Sequence, residues 1–110
     1  MAAVAIFNQE KLVKQLPELP ESLSIGRKPD NQVVLNDRTV SRNHALIEYD
    51  KAGKCWLLKN LSHTNPVLLN RQKIDRPAIL FDGDEITIGV YTLKFLDTLQ
   101  AEDTHLTVSS

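Results

Sequence analysis

The apolar residues of this chain fall in short runs separated by turn residues, and this spacing limits the possible folds more than any other feature. No stretch of a dozen residues carries an apolar stripe with a 3.6-residue period, and no internal repeat is visible. Short runs between turns are typical of β-sandwiches and barrels. The pattern therefore predicts an all-β chain.

Two hairpins are the clearest predicted elements. Residues 44–49 and 55–58 flank a turn that contains Gly53, and residues 85–88 and 91–95 alternate by twos around Gly89. Six further predicted strands cover residues 4–7, 12–19, 23–25, 33–35, 67–69 and 79–81. Pro17 interrupts the second of these, which predicts an edge strand because proline lacks a donor for the sheet ladder.

The length of 110 residues fits one domain. We expect this domain to span residues 1–96, because the segment 97–110 loses the aromatic residues and gains Thr, Ser, Asp and Glu. We interpret that segment as a flexible tail or linker in a larger protein. An alternative is that its threonines are phosphorylated and dock on a neighbouring domain; these are Thr98, Thr104 and Thr107.

A net charge of −1 provides no global attraction to nucleic acid or to an anionic membrane, so any anion site has to be local. The first seven residues are apolar but too short, and too poor in basic residues, for a signal peptide or a membrane span. The single cysteine, Cys55, excludes an internal disulfide. His63 and His105 have no partners at metal-binding spacing. We therefore predict a cytoplasmic protein without metal or cofactor.

Three loops carry polar residues at the ends of predicted strands, where binding groups usually lie. They cover residues 26–31, 36–44 and 62–66. Their candidate binding residues are Arg27, Ser41, Arg42, Thr64 and Asn65. Taken singly, Arg27 reads as a surface arginine and Ser41 as a turn hydroxyl.

The order of four motifs makes the loops more informative. They are Ile25-Gly26-Arg27, Ser41-Arg42-Asn43-His44, Thr64-Asn65 and Gly83-Asp84-Glu85-Ile86. No single motif is specific, but the ordered set across residues 4–96 resembles the forkhead-associated (FHA) domain. The resemblance implies a β-sandwich of about eleven mostly antiparallel strands. It also implies a module that binds a phosphothreonine-containing partner in Ser/Thr-kinase signalling and has no catalytic activity.

The resemblance implies a role for each loop residue. Arg27 and Ser41 would contact the phosphate, Arg42 would add a second positive contact, Thr64 would donate its hydroxyl, and Asn65 would bond the peptide backbone just after the phosphothreonine. Gly26 and His44 would support the binding loops. The chemistry fits these roles, because two guanidinium groups nearly balance a phosphate dianion and hydroxyls add donors without charge.

Two positions depart from the family pattern. The family often has Asn-Gly-Thr where this chain has Asn65-Pro66-Val67, and proline at 66 requires a turn made without a permissive glycine. Similarly, Asn70-Arg71 replaces the common Asn-Gly, which indicates an altered hairpin. Neither change affects a predicted phosphate ligand.

Two other functions have some support in the sequence. Ser41 and His44 are the only sequence-near nucleophile and base, and no Gly-x-Ser-x-Gly turn accompanies them. Asp82 and Asp84 are explained by a turn around Gly83. The stronger alternative is an interaction or structural module on the same fold that binds its partner without phosphate.

Overall fold

Alternation of apolar and polar residues buries one face of most strands, and the two buried faces meet in a sandwich. The structure, a computed structural model, describes residues 1–98, which form eleven strands. The strands are β1 (Ala2–Asn8), β2 (Lys11–Leu16), β3 (Ser22–Gly26), β4 (Val33–Val34), β5 (Ala45–Asp50), β6 (Cys55–Asn60), β7 (Val67–Leu69), β8 (Gln72–Lys73), β9 (Ala78–Leu80), β10 (Glu85–Ile88) and β11 (Tyr91–Asp97).

The strands form a six-stranded sheet in the order β2-β1-β11-β10-β7-β8 and a five-stranded sheet in the order β4-β3-β5-β6-β9. Every pairing is antiparallel except that of β3 with β4. The predicted all-β class is confirmed. Strand β2 is an edge strand that ends just before Pro17, as expected for a segment interrupted by proline.

Both predicted hairpins are present. Strands β5 and β6 pair from Asp50 opposite Cys55, and β10 and β11 pair from Ile88 opposite Tyr91. The second hairpin turns through two residues, of which Gly89 has φ +58°, a left-handed conformation that suits glycine. The short strand β8 was missed, because its two residues are exposed and carry no apolar signal.

The core lies between the sheets and takes alternate residues from each strand. On β11 the inward residues Leu93 and Phe95 are fully buried, whereas Leu96 is 42% exposed on the outer face. Trp56 packs at the margin of the core, with its ring centroid 6.2 Å from that of Phe95. The buried residues of both sheets form one continuous core.

The first and last strands of the sandwich are neighbours in the six-stranded sheet. Strands β1 and β11 pair from Ala2 opposite Asp97, and the Thr98 N–H donates to the Met1 carbonyl over 3.0 Å. Strand β11 therefore continues one residue beyond the predicted boundary at residue 96, and Asp97 is buried. Most of the predicted tail, with Thr104 and Thr107, lies outside the described residues.

The buried face of β11 predicts unequal effects for two leucines on one strand. We expect Leu93→Ala to lower the free energy of unfolding by about 2–5 kcal/mol, because it removes a fully buried side chain from a packed core. Leu96→Ala should lower it by no more than about 1 kcal/mol. Urea denaturation of both variants measures the difference, and similar losses would contradict the assignment of the inner face.

Candidate functional site

The three predicted loops meet at one end of the sandwich, because β3, β5 and β6 are neighbours in the five-stranded sheet. Residue pairing places Ile25 opposite Ala45 and Ala45 opposite Asn60, so the end of β3, the start of β5 and the end of β6 coincide. The loops border a cleft of about 540 Å³. Its lining residues are Arg27, Arg38, Val40, Ser41, Arg42, Asn43, Leu61, Ser62, His63, Thr64 and Asn65. The structure thus brings all five predicted binding residues together.

Close backbone contact holds the first loop against the second. The N–H groups of Arg27 and Lys28 donate to the carbonyls of Ser41 and Arg42 at 3.0 and 3.2 Å. Gly26 makes this approach possible, because a Cβ there would overlap the Arg42 carbonyl oxygen and lie 2.7 Å from Asn31 Nδ2. Gly26 is therefore required for a close approach between the two loops.

Asn31 bridges the same two loops with its side chain. Its Nδ2 donates to the Arg42 carbonyl at 2.8 Å and to the Lys28 carbonyl at 3.0 Å. The Arg42 main chain is therefore held from two sides, while its guanidinium makes no hydrogen bond or ion pair within residues 1–98.

Arg27 is exposed, but one of its donors is fixed. Its Nε donates to the Val40 carbonyl at 3.0 Å, which orients the guanidinium towards the cleft. A guanidinium has five N–H donors, so four remain for a ligand. The arrangement is a pre-oriented fork for an anion, since little side-chain freedom remains to be lost on binding.

A hydroxyl network joins the second loop to the third. The Ser41 and Ser62 hydroxyl oxygens lie 2.6 Å apart, and Asn65 Nδ2 donates to Ser41 Oγ at 2.8 Å. Ser62 Oγ also accepts the N–H groups of Thr64 and Asn65, at 3.3 and 2.9 Å. The third loop is therefore closed by the Ser62 side chain, which is how the turn forms with proline at position 66.

Sequence reasoning gave no role to Ser62. A serine that accepts the N–H groups two and three residues later is a recognised local motif, and the sequence Ser62-His63-Thr64-Asn65 offered that signal. Sequence reasoning also gave no role to Arg38, which is exposed and lines the cleft. Thr64 is exposed, and its hydroxyl has no hydrogen-bond partner within residues 1–98.

His44 lies beneath the cleft and is completely buried. Its Nδ1 accepts the Ser41 N–H at 3.0 Å, so Nε2 carries the proton and donates to the Pro66 carbonyl at 2.9 Å. The imidazole thus joins the second loop to the third. Both nitrogens are occupied and neither bonds Ser41 Oγ, so these two residues do not form a nucleophile–base pair.

Burial lowers the pKa of His44 because it disfavours the charged imidazolium, although hydrogen bonds to the backbone of Pro66 and Asn65 partly oppose this. Protonation would also place a proton on Nδ1, which already accepts the Ser41 N–H. The neutral form is therefore the one that fits the loops.

The second loop has a support outside the cleft. Asp37 Oδ1 accepts both the N–H and the hydroxyl of Thr39, at 2.9 and 2.7 Å, and the hydroxyl bond is the main cause of the lowered pKa of Asp37. Thr39 Oγ1 in turn accepts the Val90 N–H at 3.1 Å. The β10–β11 turn therefore holds the loop from the six-stranded sheet.

The second departure from the family pattern, Asn70-Arg71 in place of Asn-Gly, leaves the turn between β7 and β8 intact. Asn70 and Arg71 have φ of 50° and 70°, the double left-handed geometry of the two-residue turn that Asn-Gly usually forms. Asn70 Nδ2 donates to Asp84 Oδ1, and Asn70 Oδ1 accepts the Glu85 N–H. The expected alteration of this hairpin is therefore wrong, because the Asn70 side chain anchors the turn.

Residues 1–98 contain no cluster of three potential metal ligands and no helix long and apolar enough to cross a membrane. The loops of this β-sandwich place arginines and hydroxyls in one cleft, and these are the donor groups that suit an anion. The profile of the FHA domain matches residues 23–89, and the chain belongs to that family.

Three relatives place the domain among known proteins. The glycogen accumulation regulator GarA of Mycolicibacterium smegmatis is 38% identical over 80 residues, covering 73% of this chain and 49% of that protein. The oxoglutarate dehydrogenase inhibitor of Corynebacterium jeikeium is 36% identical over 77 residues, covering 70% of this chain and 51% of that protein. The chain thus spans about half the length of both proteins. The structure of Mycobacterium tuberculosis EmbR in complex with a low-affinity phosphopeptide is 28% identical, with a TM-score of 0.74 over 86% of this chain and 24% of that chain.

The environment of His44 predicts a pH dependence of stability. The pKa of His44 in the folded state lies below its value of about 6.5 in the unfolded state. As the pH falls below about 6.5, the unfolded state therefore binds more protons than the folded state. The stabilisation is complete above about pH 6.5 and is lost as the pH falls towards the folded pKa, by up to about 1.4 kcal/mol per pH unit.

Urea denaturation between pH 7.5 and 5 measures this slope. We expect His44→Gln to be less stable and to lose most of the slope, and His63→Gln, at an exposed position, to keep it. An unchanged slope in His44→Gln would show that another group titrates.

Proposed function

We propose that this domain binds phosphothreonine-containing segments of partner proteins in Ser/Thr-kinase signalling. The observation that carries the proposal is the convergence of Arg27, Ser41, Arg42, Thr64 and Asn65 on one cleft whose lining contains no carboxylate. Membership of the FHA family supports it, as does the likeness to EmbR, whose structure contains a phosphopeptide.

The phosphate contacts follow from the donors that remain free. Arg27 offers the donors not used on Val40, and Arg42 contributes a second guanidinium with no intramolecular partner within residues 1–98. Together they carry two positive charges against the roughly −1.5 to −2 of a phosphothreonine. The hydroxyls of Ser41 and Thr64 complete the coordination of the phosphate oxygens.

Asn65 is assigned to the peptide backbone. Its Nδ2 is used on Ser41 Oγ, which leaves its carbonyl oxygen as an acceptor for a peptide N–H. The residue is half-buried, its side chain is held by Ser41 Oγ and its main-chain N–H by Ser62 Oγ, so the peptide meets a fixed acceptor. Asn65 thus both orients Ser41 and reads the extended backbone.

We also propose that the chain is a binding module without catalytic activity and part of a larger protein. GarA and the oxoglutarate dehydrogenase inhibitor carry the names of a regulator and an inhibitor, and the chain covers about half of each. A cytoplasmic setting suits a reader of kinase products, and the half-buried Cys55 would stay reduced there.

Removing the Arg27 charge tests the phosphate site. We expect Arg27→Gln to weaken binding of a phosphothreonine peptide by about 1.5–3 kcal/mol, roughly ten- to a hundredfold, because a charged hydrogen bond to the dianion is lost. Glutamine keeps part of the stem and a donor for the Val40 carbonyl. Isothermal titration calorimetry with the phosphorylated peptide and its unphosphorylated twin measures the effect.

Arg71→Gln is the matched control, since Arg71 lies on the β7–β8 turn outside the cleft. It should leave affinity within about twofold of the parent, consistent with a surface charge. Equal affinity for the two peptides would instead favour the phosphate-independent interaction module.

The apolar lining predicts a preference for threonine over serine. Leu61 is the exposed apolar residue of the lining, whereas Val40 is buried in the core, and a buried methyl group contributes about 0.8 kcal/mol, or roughly fourfold in affinity. We expect phosphothreonine peptides to bind at least that much more tightly than phosphoserine peptides of the same sequence. Equal binding would mean that the γ-methyl group meets no apolar surface.

A further inference from the structure

The cleft holds more positive charge than one phosphothreonine neutralises. Its lining residues include Arg27, Arg38 and Arg42 and no aspartate or glutamate. Three positive charges against the roughly −1.5 to −2 of a phosphothreonine leave a surplus of at least one. The whole chain has a net charge of −1, so the surplus is local to this end of the sandwich.

Arg38 is the member of this group with no role in phosphate binding so far. It is exposed, and no carboxylate lies within ion-pair distance of its guanidinium within residues 1–98. Its neighbour Asp37 directs Oδ1 to the N–H and hydroxyl of Thr39. The guanidinium is therefore available to a ligand.

The main chain around Arg38 is held in place although its side chain is not. Thr39 is fixed by Asp37 on one side and by the Val90 N–H on the other, and the Val40 carbonyl accepts Arg27 Nε. Arg38 thus projects from an anchored stretch of loop, two residues from the group that orients Arg27. The anchored backbone thus fixes where this charge starts, next to the phosphate site, and binding has to order only the side chain itself.

We propose that Arg38 is a specificity-determining residue that binds a second anionic group of the same phosphopeptide. This inference rests on the proposed function and adds a substrate class to it: peptides that carry a carboxylate or a second phosphate near the phosphothreonine. Both groups match the guanidinium donors. Successive residues of an extended peptide advance about 3.3 Å, so the second anion lies within a few residues of the phosphothreonine.

A charge scan of the peptide tests this inference. In one set of phosphothreonine peptides, each of the three positions before and after the phosphothreonine carries glutamate or glutamine in turn. One further peptide carries a second phosphothreonine at the position where glutamate is most strongly preferred over glutamine. Affinities are measured for the parent domain, Arg38→Gln and Arg71→Gln. We expect glutamate to be favoured by roughly fivefold at one or two positions, and the second phosphate by more.

The variants separate a local contact from general electrostatics. Arg38→Gln should remove the preference for glutamate while the peptide without it binds within about threefold of the parent, and Arg71→Gln should keep the preference. A preference below twofold for glutamate at every position and for the second phosphate would overturn the proposal, as would a preference that survives Arg38→Gln. If only the second phosphate is favoured, the ligand is doubly phosphorylated; if glutamate suffices, an acidic neighbour is enough.

The proposed function and the role of Arg38 are refuted by different results. If the parent domain shows no phosphate-dependent binding, both ideas are refuted. If it shows phosphate-dependent binding that Arg27→Gln weakens but that does not change with the neighbouring charges of the peptide, only the role of Arg38 is refuted.

Discussion

The site depends on a neutral imidazole that has no access to solvent. His44 accepts a hydrogen bond from the Ser41 N–H and donates one to the Pro66 carbonyl, and these two residues lie 25 positions apart in sequence (66 − 41). An alternative group in this place would need one donor and one acceptor at the same separation, and unmade hydrogen bonds there would each cost about 1–3 kcal/mol. The loops therefore share one buried connection, and the cleft forms above it.

Above that connection, the loop residues divide their hydrogen-bonding capacity between the protein and the cleft. The Arg42 carbonyl, Arg27 Nε and Asn65 Nδ2 are used internally, while the remaining guanidinium donors and the side-chain oxygen of Asn65 have no partner within residues 1–98. Such division fixes positions before a ligand arrives. The entropic cost of ordering the Arg27 side chain is then partly met during folding.

The sequence predicted the strands wherever apolar alternation was strong, and it predicted the residues of the cleft through the order of their motifs. It failed where backbone geometry decides. Strand β8 has two exposed residues and gives no periodic signal, and Arg71 adopts a left-handed conformation normally left to glycine because Asn70 anchors the turn. Ser62 and Arg38 were overlooked because their positions depend on how three loops pack, which spacing along the chain does not specify.

The pairing of Ala2 with Asp97 has a consequence for how the domain is connected. Strand β11 runs from Tyr91, beside the turn that supports the second loop, to Asp97, and seven residues of strand span about 20 Å. The first and last described residues thus lie together at the end of the sandwich opposite the cleft. Polypeptide attached at either side would leave from the back of the domain, so the fold can be inserted into many architectures with its recognition loops facing outward and unobstructed.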